Sequence, residues 1–411
     1  MSRCVWAYQY GAWGDGDHTA ITINNTYQIK ILITLCLGVF GLISMELGVM
    51  GIIPLISEKF GVSVSDAGWS VSIFALIVMC CAPIAPMLCA NFNPKKLMLF
   101  CLAIFSLSSL ASMFVNDFWL HLILRAIPAF FHPIYLALAF STAANLADDK
   151  SKVPHIVAKI FMAISAGLVL GVPLSSYFGG NFSFEMAMAF YVVINSLAFF
   201  ITLFFMPEFK KTSRIKVGKQ LLSLRYALLW ISMLAVFCIS TGYLGFYSYY
   251  SEFLFSVSKM SFTNISLALF IYGFASIIGN NIAGKTLVNH SNQTLIFASM
   301  AMILIYALIF VNAAQFAIML TLSLILGIVN GVMNNAMHYI ITFPFPRTKD
   351  FTNGLFISVS NISISVGATL CGLVISIKET KYIAISSIIM VGLGLILVLV
   401  RMRLEDKKLK I

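Results

Sequence analysis

Long apolar runs follow one another along almost the whole chain after Lys30, and this repetition limits the possible folds more than any other feature. A helix that crosses a bilayer needs about 20 mostly apolar residues, and hydrophobic residues make up 60% of this chain. Only 10% of the residues are charged, whereas soluble domains carry roughly 25%. We therefore predict an all-α integral membrane protein with no room for a soluble catalytic domain. The twelve predicted transmembrane helices, called spans 1 to 12 below, are 31–53, 68–90, 97–115, 118–146, 153–178, 186–206, 224–250, 262–284, 293–313, 315–342, 351–377 and 381–402.

Lysine and arginine are divided unequally between the two sets of connections that alternate along these spans. Because basic residues concentrate on the cytoplasmic side of a membrane, the richer set indicates the cytoplasm, and both termini are predicted to lie there. Topology then accounts for the net charge of +11, so no nucleic-acid partner is expected. The poorer set carries four basic residues, Lys59, Lys259, Lys378 and Lys381, and the richer set with the C-terminus carries eighteen, Lys95, Lys96, Lys150, Lys152, Lys210, Lys211, Arg214, Lys216, Lys219, Arg225, Lys285, Arg347, Lys349, Arg401, Arg403, Lys407, Lys408 and Lys410.

Other kinds of site find little support in the sequence. Seven of the eight cysteines fall inside apolar runs, so they are interpreted as buried hydrophobes and not as disulfide partners or metal ligands. No phosphate-binding loop ending in Gly-Lys-Ser/Thr occurs, so no nucleotide, cofactor or metal is expected. Residues 1–30 lack the basic and apolar regions of a signal peptide and are predicted to be a disordered cytoplasmic tail.

The longest polar interruption divides the spans six and six. Residues 207–225 contain six basic residues and a single acid, and we interpret 207–223 as a cytoplasmic linker. The predicted domains are then an N-terminal six-helix bundle at 31–206 and a C-terminal six-helix bundle at 224–402, followed by a cytoplasmic tail at 403–411.

A weak internal repeat supports this division. A shift of 206 residues places His132 on His338. Two pseudo-symmetric bundles around a central cavity are therefore predicted. A shift of 197 residues places Leu37, Val39, Phe40, Leu47 and Gly48 of span 1 on Leu234, Val236, Phe237, Leu244 and Gly245 of span 7.

Three segments contain recognisable motifs. Residues 45–54 read MELGVMGIIP and are followed at 62–68 by VSVSDAG. In span 4, Arg125 is followed by Pro128 and His132. In span 5 the motif is GxxxGVP, with Gly167, Gly171, Val172 and Pro173.

With these segments the chain resembles the major facilitator superfamily, and within it the bacterial twelve-span drug:proton antiporters that are similar to arabinose and purine efflux permeases. The resemblance runs from about Lys30 to the C-terminus. It implies proton-coupled efflux of small molecules by a monomer in the bacterial inner membrane, and it implies that the glycine–proline motif seals the protein against leak. Between spans 2 and 3 the chain departs from the pattern, because Pro86, Ala90 and Asn91 replace the glycine, the aspartate and the first arginine of the superfamily motif.

Two charged side chains, Glu46 and Arg125, are predicted deep within apolar spans. A charge at a helix centre costs about 2.5–3.5 kcal/mol on insertion scales, so such residues usually face a cavity and have a function. We predict that Glu46 carries a proton and that Arg125, which does not deprotonate, is its counter-charge; a static buried pair is the alternative. His132 lies two helical turns after Arg125 on the same face. It is predicted to be a proton relay, with a simple hydrogen bond to a neighbour as the alternative.

Polar stripes occur in two spans of the C-terminal half. In span 10, Asn330, Asn334 and His338 recur at i, i+4 and i+8, and in span 11 Asn361 belongs to a comparable stripe. We predict that these side chains face the cavity and bind substrate, with interhelical hydrogen bonding as the alternative.

Aromatic residues gather at the end of span 7. Tyr243 and Tyr247 share a helix face and are predicted to stack on substrate. Tyr249, Tyr250 and Phe253 are interpreted as part of an interfacial aromatic belt.

Several functions remain open on the sequence alone. The leading hypothesis is a proton-driven exporter of drugs, sugars or nucleobase-like metabolites. A proton symporter or facilitator for uptake has the same sequence features, since an intramembrane acid does not decide direction. A membrane-embedded enzyme needs polar residues clustered at one membrane face, and no such cluster is visible. A non-transporting sensor is the alternative from another class.

Overall fold

The computed structural model describes residues 25–82, 92–146, 153–207, 224–344 and 349–408. Within these ranges the chain is helical and contains no strand, which confirms the predicted fold class. Most of the predicted tail, the linker at 208–223 and the residues Pro86, Ala90 and Asn91 lie outside the described ranges. Among the described residues, twelve helices are long and apolar enough to cross a membrane: Gln28–Phe60, Val64–Cys81, Pro94–Phe114, Phe118–Asn145, Ile156–Asn181, Phe184–Phe205, Ala227–Ser248, Phe262–Leu287, His290–Asn312, Phe316–Thr342, Gly354–Ile377 and Thr380–Leu404.

Several spans are built from more than one helical segment. Spans 8 and 9 lie in one assigned helix, Phe262–Asn312, which is broken at the non-helical residue His290 (φ −138°, ψ 43°). Two short segments, Tyr250–Glu252 and Phe253–Val257, follow span 7. Span 1 comprises Asn25–Gly48, Val49–Ile52 and Ile53–Phe60; span 2 comprises Val64–Ala67 and Trp69–Cys81; span 5 comprises Val153–Ala166, Gly167–Gly171 and Val172–Asn181; span 11 lies in Lys349–Ile377; and span 12 comprises Thr380–Tyr382 and Ile383–Lys408.

Helix starts are fixed by side chains that satisfy otherwise unpaired backbone N–H groups. The short connections at these starts, such as 115–117 and 182–183, make consecutive spans antiparallel neighbours. We call the side with these connections the outer end, because the basic-residue distribution predicts that it faces away from the cytoplasm. At the outer end Asp117, Ser183 and Ser261 cap helices by accepting from the amides of Leu120, Met186 and Asn264.

The internal repeat has a counterpart in the backbone of spans 1 and 7. Ile52 interrupts span 1 with φ −126° and ψ 16°. Tyr249 ends span 7 with φ −110° and ψ 16°. The two residues are 249 − 52 = 197 residues apart, which is the shift that aligns the sequences of the two spans. The two backbone breaks therefore fall at equivalent positions of the repeat.

The N-terminal and C-terminal halves pack against each other near the outer end. Span 2 meets span 11, where the Ser72 hydroxyl donates to the Ser365 carbonyl at 3.4 Å. Span 5 meets span 8, where a Cβ added to Gly273 would lie 2.8 Å from the Cα of Val169. These contacts join span 2 to span 11 and span 5 to span 8, and they close the halves together on this side.

Candidate functional site

Arg125 is buried, with 2% of its surface exposed, and it joins three spans through main-chain oxygens. Its Nη1 donates to the carbonyl of Met45 at 2.8 Å, and its Nη2 donates to the carbonyl of Glu46 at 3.3 Å. Its Nε donates to the Ser70 carbonyl of span 2 at 3.3 Å. The guanidinium also lies over the ring of Phe74, with 4.9 Å to the ring centroid, a cation–π arrangement. Arg125 thus fixes span 4 to spans 1 and 2.

The carboxylate of Glu46 faces His132 and not the guanidinium. Glu46 Oε2 lies 2.9 Å from His132 Nε2. The two charged groups predicted from the sequence do approach each other, but Arg125 binds the main chain of Glu46 while His132 is the ionisable partner of its side chain. Arg125 and His132 are seven residues apart and so lie on one face of span 4. A single helix therefore supplies both the anchor and the partner of the acid.

A small pocket lies beside this acid–histidine pair. The ring of Phe74 contacts His132 edge-on, with 5.6 Å between ring centroids, so one phenyl group covers both Arg125 and His132. The sequence offered no signal for Phe74, because one phenylalanine in an apolar span resembles any other. The pocket is lined by Glu46, Leu47 and Met50 of span 1, Val71, Phe74 and Ala75 of span 2, and Ile364 of span 11. Glu46 therefore lies where the N-terminal half meets the C-terminal half.

The glycine–proline motif of span 5 packs against span 1 at Ile43 and Ser44, just before Glu46. Gly167–Gly171 forms a π-helical turn, and Pro173 follows in Val172–Asn181. A Cβ added to Gly167 would lie 2.6 Å from Ile43 Cγ2, and a Cβ at Gly171 would overlap Ser44. The missing side chains let span 5 approach span 1 more closely than larger residues would allow.

The predicted substrate residues of spans 10 and 11 are spread over a larger area. Asn330 is buried, Asn334 is exposed, and His338 contacts Phe356 of span 11 edge-on at 5.0 Å between centroids. Asn361 is buried and donates through Nδ2 to the Ile357 carbonyl at 3.0 Å. Within the described part of the chain, Oδ1 of Asn330 and Oδ1 of Asn361 accept no hydrogen bond. Asn361 lies one turn before Ile364, which lines the pocket of Glu46.

Tyr243 and Tyr247 lie inside the C-terminal half. The Tyr247 ring stacks on Tyr272 of span 8 at 4.7 Å between centroids. Tyr243 and Tyr247 are 7% and 4% exposed, and neither lines the pocket of Glu46. In this closed arrangement their rings fill the bundle interior.

The aromatic-belt interpretation of the residues that follow is wrong. Tyr249, Tyr250 and Phe253 are 1%, 0% and 0% exposed, whereas belt residues lie at the lipid–water interface. Tyr250 Oη and Ser323 Oγ are 2.6 Å apart, which shows how this ring is held inside the protein. An amphipathic ring at a helix end does not reveal whether it faces lipid or another helix.

Among the described residues, no group of three histidine, cysteine, aspartate or glutamate side chains is placed to hold a metal ion. Glu46 and His132 instead form an acid–histidine pair in the N-terminal half, beside a pocket that Ile364 of the C-terminal half also lines. Together with the twelve apolar helices of the described residues, this site indicates a polytopic membrane protein that moves a solute or an ion.

The chain belongs to the Major Facilitator Superfamily. The family model matches residues 35–313 and 233–410. The relatives described below are transporters and not enzymes, and this chain is likewise a membrane transporter.

Several known proteins are similar to this chain. The putative transporter AraJ of Escherichia coli (strain K12) is 23% identical over 256 residues, which cover 62% of this chain and 65% of AraJ. The inner membrane transport protein YdhP of the same strain is 25% identical, covering 92% of this chain and 97% of YdhP. A probable sugar efflux transporter of Helicobacter pylori (strain P12) is 24% identical, covering 80% of this chain and 82% of that protein. The crystal structure of a mutant of the nucleoside transporter NupG shares the fold, with a TM-score of 0.76, 14% identity and coverage of 92% of this chain and 99% of that chain.

Proposed function

We propose that this protein is a proton-coupled secondary transporter that exports small molecules by alternating access. The observation that carries the proposal is the Glu46–His132 pair at 2.9 Å, whose acid lines a pocket to which both halves contribute. An ionisable pair inside a membrane is costly and usually marks an ion pathway. Rocking of the two halves would change the access of water to this pair without breaking either bundle.

Each member of the charged group has a distinct role in this mechanism. Glu46 binds and releases the proton, and His132 stabilises the ionised carboxylate while the pair is enclosed. Arg125 keeps spans 1, 2 and 4 together throughout, because its three hydrogen bonds go to main-chain carbonyls that do not titrate.

We further propose that substrate binds between the halves. Asn330, Asn334, His338 and Asn361 would supply polar contacts, and Tyr243 and Tyr247 would become accessible only if span 7 moves. The likeness to a Helicobacter pylori protein named as a probable sugar efflux transporter supports export and a small polar solute. Gly167, Gly171 and Pro173 would keep spans 1 and 5 sealed against proton leak.

The experiment that tests this function uses proteoliposomes containing the purified protein and an internal pH indicator. A panel of sugars, nucleosides and cationic drugs is added with and without an imposed pH gradient. A substrate is expected to collapse the gradient only in vesicles that contain the protein. Flux without proton movement would make the protein a facilitator, and binding without flux would make it a sensor.

Cysteine substitution at the span 10 stripe tests the substrate site. In a variant without native cysteines, Asn334→Cys and His338→Cys are expected to react with a water-soluble thiol reagent, and a transported substrate should slow the reaction. Gln315→Cys, an exposed position in the connection at the outer start of the same span, is the control that should react and that substrate should not protect. Inert or unprotected cysteines at 334 and 338 in folded protein would assign the stripe to helix packing.

The domain limits and the orientation also remain proposals. We propose bundles at 31–206 and 224–402, a monomer in the inner membrane, and both termini in the cytoplasm. A reporter fused after Ile411 is expected to be cytoplasmic, and one inserted near Asn181 external. Opposite reporter signals would reverse the orientation.

A further inference from the structure

The short segment Tyr249–Glu252 follows span 7 at the outer end and reaches the N-terminal half. Tyr249 Oη donates to the carbonyl of Ser65 at 3.4 Å. A Cβ added to Gly68 would overlap this hydroxyl, and one added to Gly372 of span 11 would lie 2.7 Å from it. The Tyr249 hydroxyl therefore occupies the space that Gly68 of the N-terminal half and Gly372 of the C-terminal half leave free by lacking side chains.

A second contact ties the same segment to span 1. The Ser251 hydroxyl donates to the Met50 carbonyl at 2.5 Å. Met50 belongs to the 3-10 turn Val49–Ile52 and lines the pocket of Glu46. Separation of the halves at the outer end must break this bond, so the segment is linked to the helix that carries the proposed proton site.

Glu252, the last residue of this segment, is an acid that is only 5% exposed. It lies between spans 7 and 8 and outside both of them, and within the described residues no cation lies within 4 Å of its carboxylate. Burial raises the pKa of Glu252, and hydrogen bonding to Ser256 and the charge of Lys259 offset this only in part.

Charged groups on the neighbouring segments have other environments. On Ile53–Phe60, Glu58 is exposed, and Lys59 pairs with Glu185 at 2.5 Å. Lys381, on the 3-10 turn Thr380–Tyr382, lies over the ring of Phe310, with 4.5 Å to its centroid. Lys259 is thus the charged neighbour that acts on Glu252.

We propose that Tyr249–Glu252 is an outer latch between the halves, and that Glu252 is a proton-binding site that sets its closure. In the closed state Glu252 is buried and holds its proton more tightly than in the open state. When the halves separate, water reaches the carboxyl group, and its proton passes to the external solution. Closure takes up one proton again. This inference rests on the proposed alternating access, but it needs neither an identified substrate nor Glu46.

The expected pH dependence follows from the raised pKa of Glu252 in the closed state. The contribution of Glu252 to the stability of the closed state is fully present below the ordinary glutamate pKa of about 4.3, because Glu252 is then protonated in both the open and the closed state. The advantage of the closed state is lost as the pH rises through the higher, closed-state pKa. Acid therefore favours the closed latch, and a rising pH shifts the equilibrium toward the open one.

The test measures the outer separation of the halves by double electron–electron resonance. Spin labels are attached at Asn116 and Gln315, exposed residues in outer connections of the N-terminal and C-terminal halves, in a variant without native cysteines in nanodiscs. The parent is expected to gain a longer-distance population as the pH rises. Glu252→Gln, which cannot ionise, is expected to stay in the short-distance population across the pH range. Ser251→Ala, which lacks the bond to Met50, is expected to open at lower pH than the parent.

Glu58→Gln is the matched control, because it removes an exposed carboxyl group from a neighbouring segment; it should open like the parent. The latch is disproved if Glu252→Gln opens with the parent's midpoint, or if the parent shows no response to pH. If either of these results occurs while the vesicle assay still shows proton-coupled transport, the latch is refuted and the proposed transport function stands. A normal latch response without proton-coupled transport would refute only the proposed coupling.

Discussion

Glu46→Gln is expected to insert and fold like the parent and to lose proton-driven transport completely, down to the level of protein-free vesicles. Glutamine keeps the approximate size of the side chain and some hydrogen bonding but cannot take up and release a proton. The Arg125 anchor should survive, since it binds the carbonyls of Met45 and Glu46 and not the carboxylate. The loss should therefore appear in coupling and not in folding.

The decisive measurement for Glu46→Gln is substrate-dependent proton movement in proteoliposomes, compared at equal amounts of monodisperse protein. Glu379→Gln, which removes an exposed carboxyl group at the outer end, is the control and should move protons like the parent. Substrate counterflow without a pH gradient should be retained in Glu46→Gln, because binding needs no titration. If Glu46→Gln moves protons like the parent, the proton takes another route, and His132 is the next residue to replace.

Arg125→Ala is expected to reduce the yield of folded protein severely. The substitution removes the guanidinium donors from the carbonyls of Met45, Glu46 and Ser70 and the positive charge beside the Glu46–His132 pair. Removing one member of a buried charged arrangement costs about 3–5 kcal/mol, which is a large part of the roughly 5–15 kcal/mol that stabilises most folded proteins. Arg125→Lys should recover little, since an ammonium group cannot reproduce the planar fork of donors.

The effect of Arg125→Ala is measured as the monodisperse fraction in detergent and its midpoint of thermal aggregation. Arg403→Ala removes an exposed arginine near the end of span 12 and should resemble the parent in both. A normal yield and midpoint for Arg125→Ala would show that the three hydrogen bonds contribute little, and that spans 1, 2 and 4 are held by apolar packing.

The sequence predicted the twelve spans because a bilayer sets the length and composition of every helix that crosses it. The sequence also pointed to Glu46 and Arg125, because a charged side chain within an apolar span is costly and usually has a function. The repeat between spans 1 and 7 was visible at a shift of 197 residues, and the matching breaks at Ile52 and Tyr249 show its structural basis.

The pairing within the site was not predictable in the same way. Arg125 and His132 lie on one helix face, so the sequence allows either to meet the Glu46 carboxylate, and only the rotation and depth of span 1 decide between them. No feature of the sequence marks Glu252 as a buried acid, because it lies in a connection, where an acid is ordinarily solvated. Its burial depends on how Tyr249–Glu252 packs between the halves, which no local pattern encodes.

Arg125 binds spans 1 and 2 through their main-chain carbonyls and not through their side chains. A carbonyl oxygen is present whatever residue occupies positions 45, 46 and 70, so the arginine places no chemical demand on those side chains. Residues 46 and 132 can then be exchanged for other ion-binding pairs while the scaffold that holds them is retained. The protein is therefore a suitable starting point for redesigning the coupling ion, since the groups that would select the ion are separate from the groups that hold the helices together.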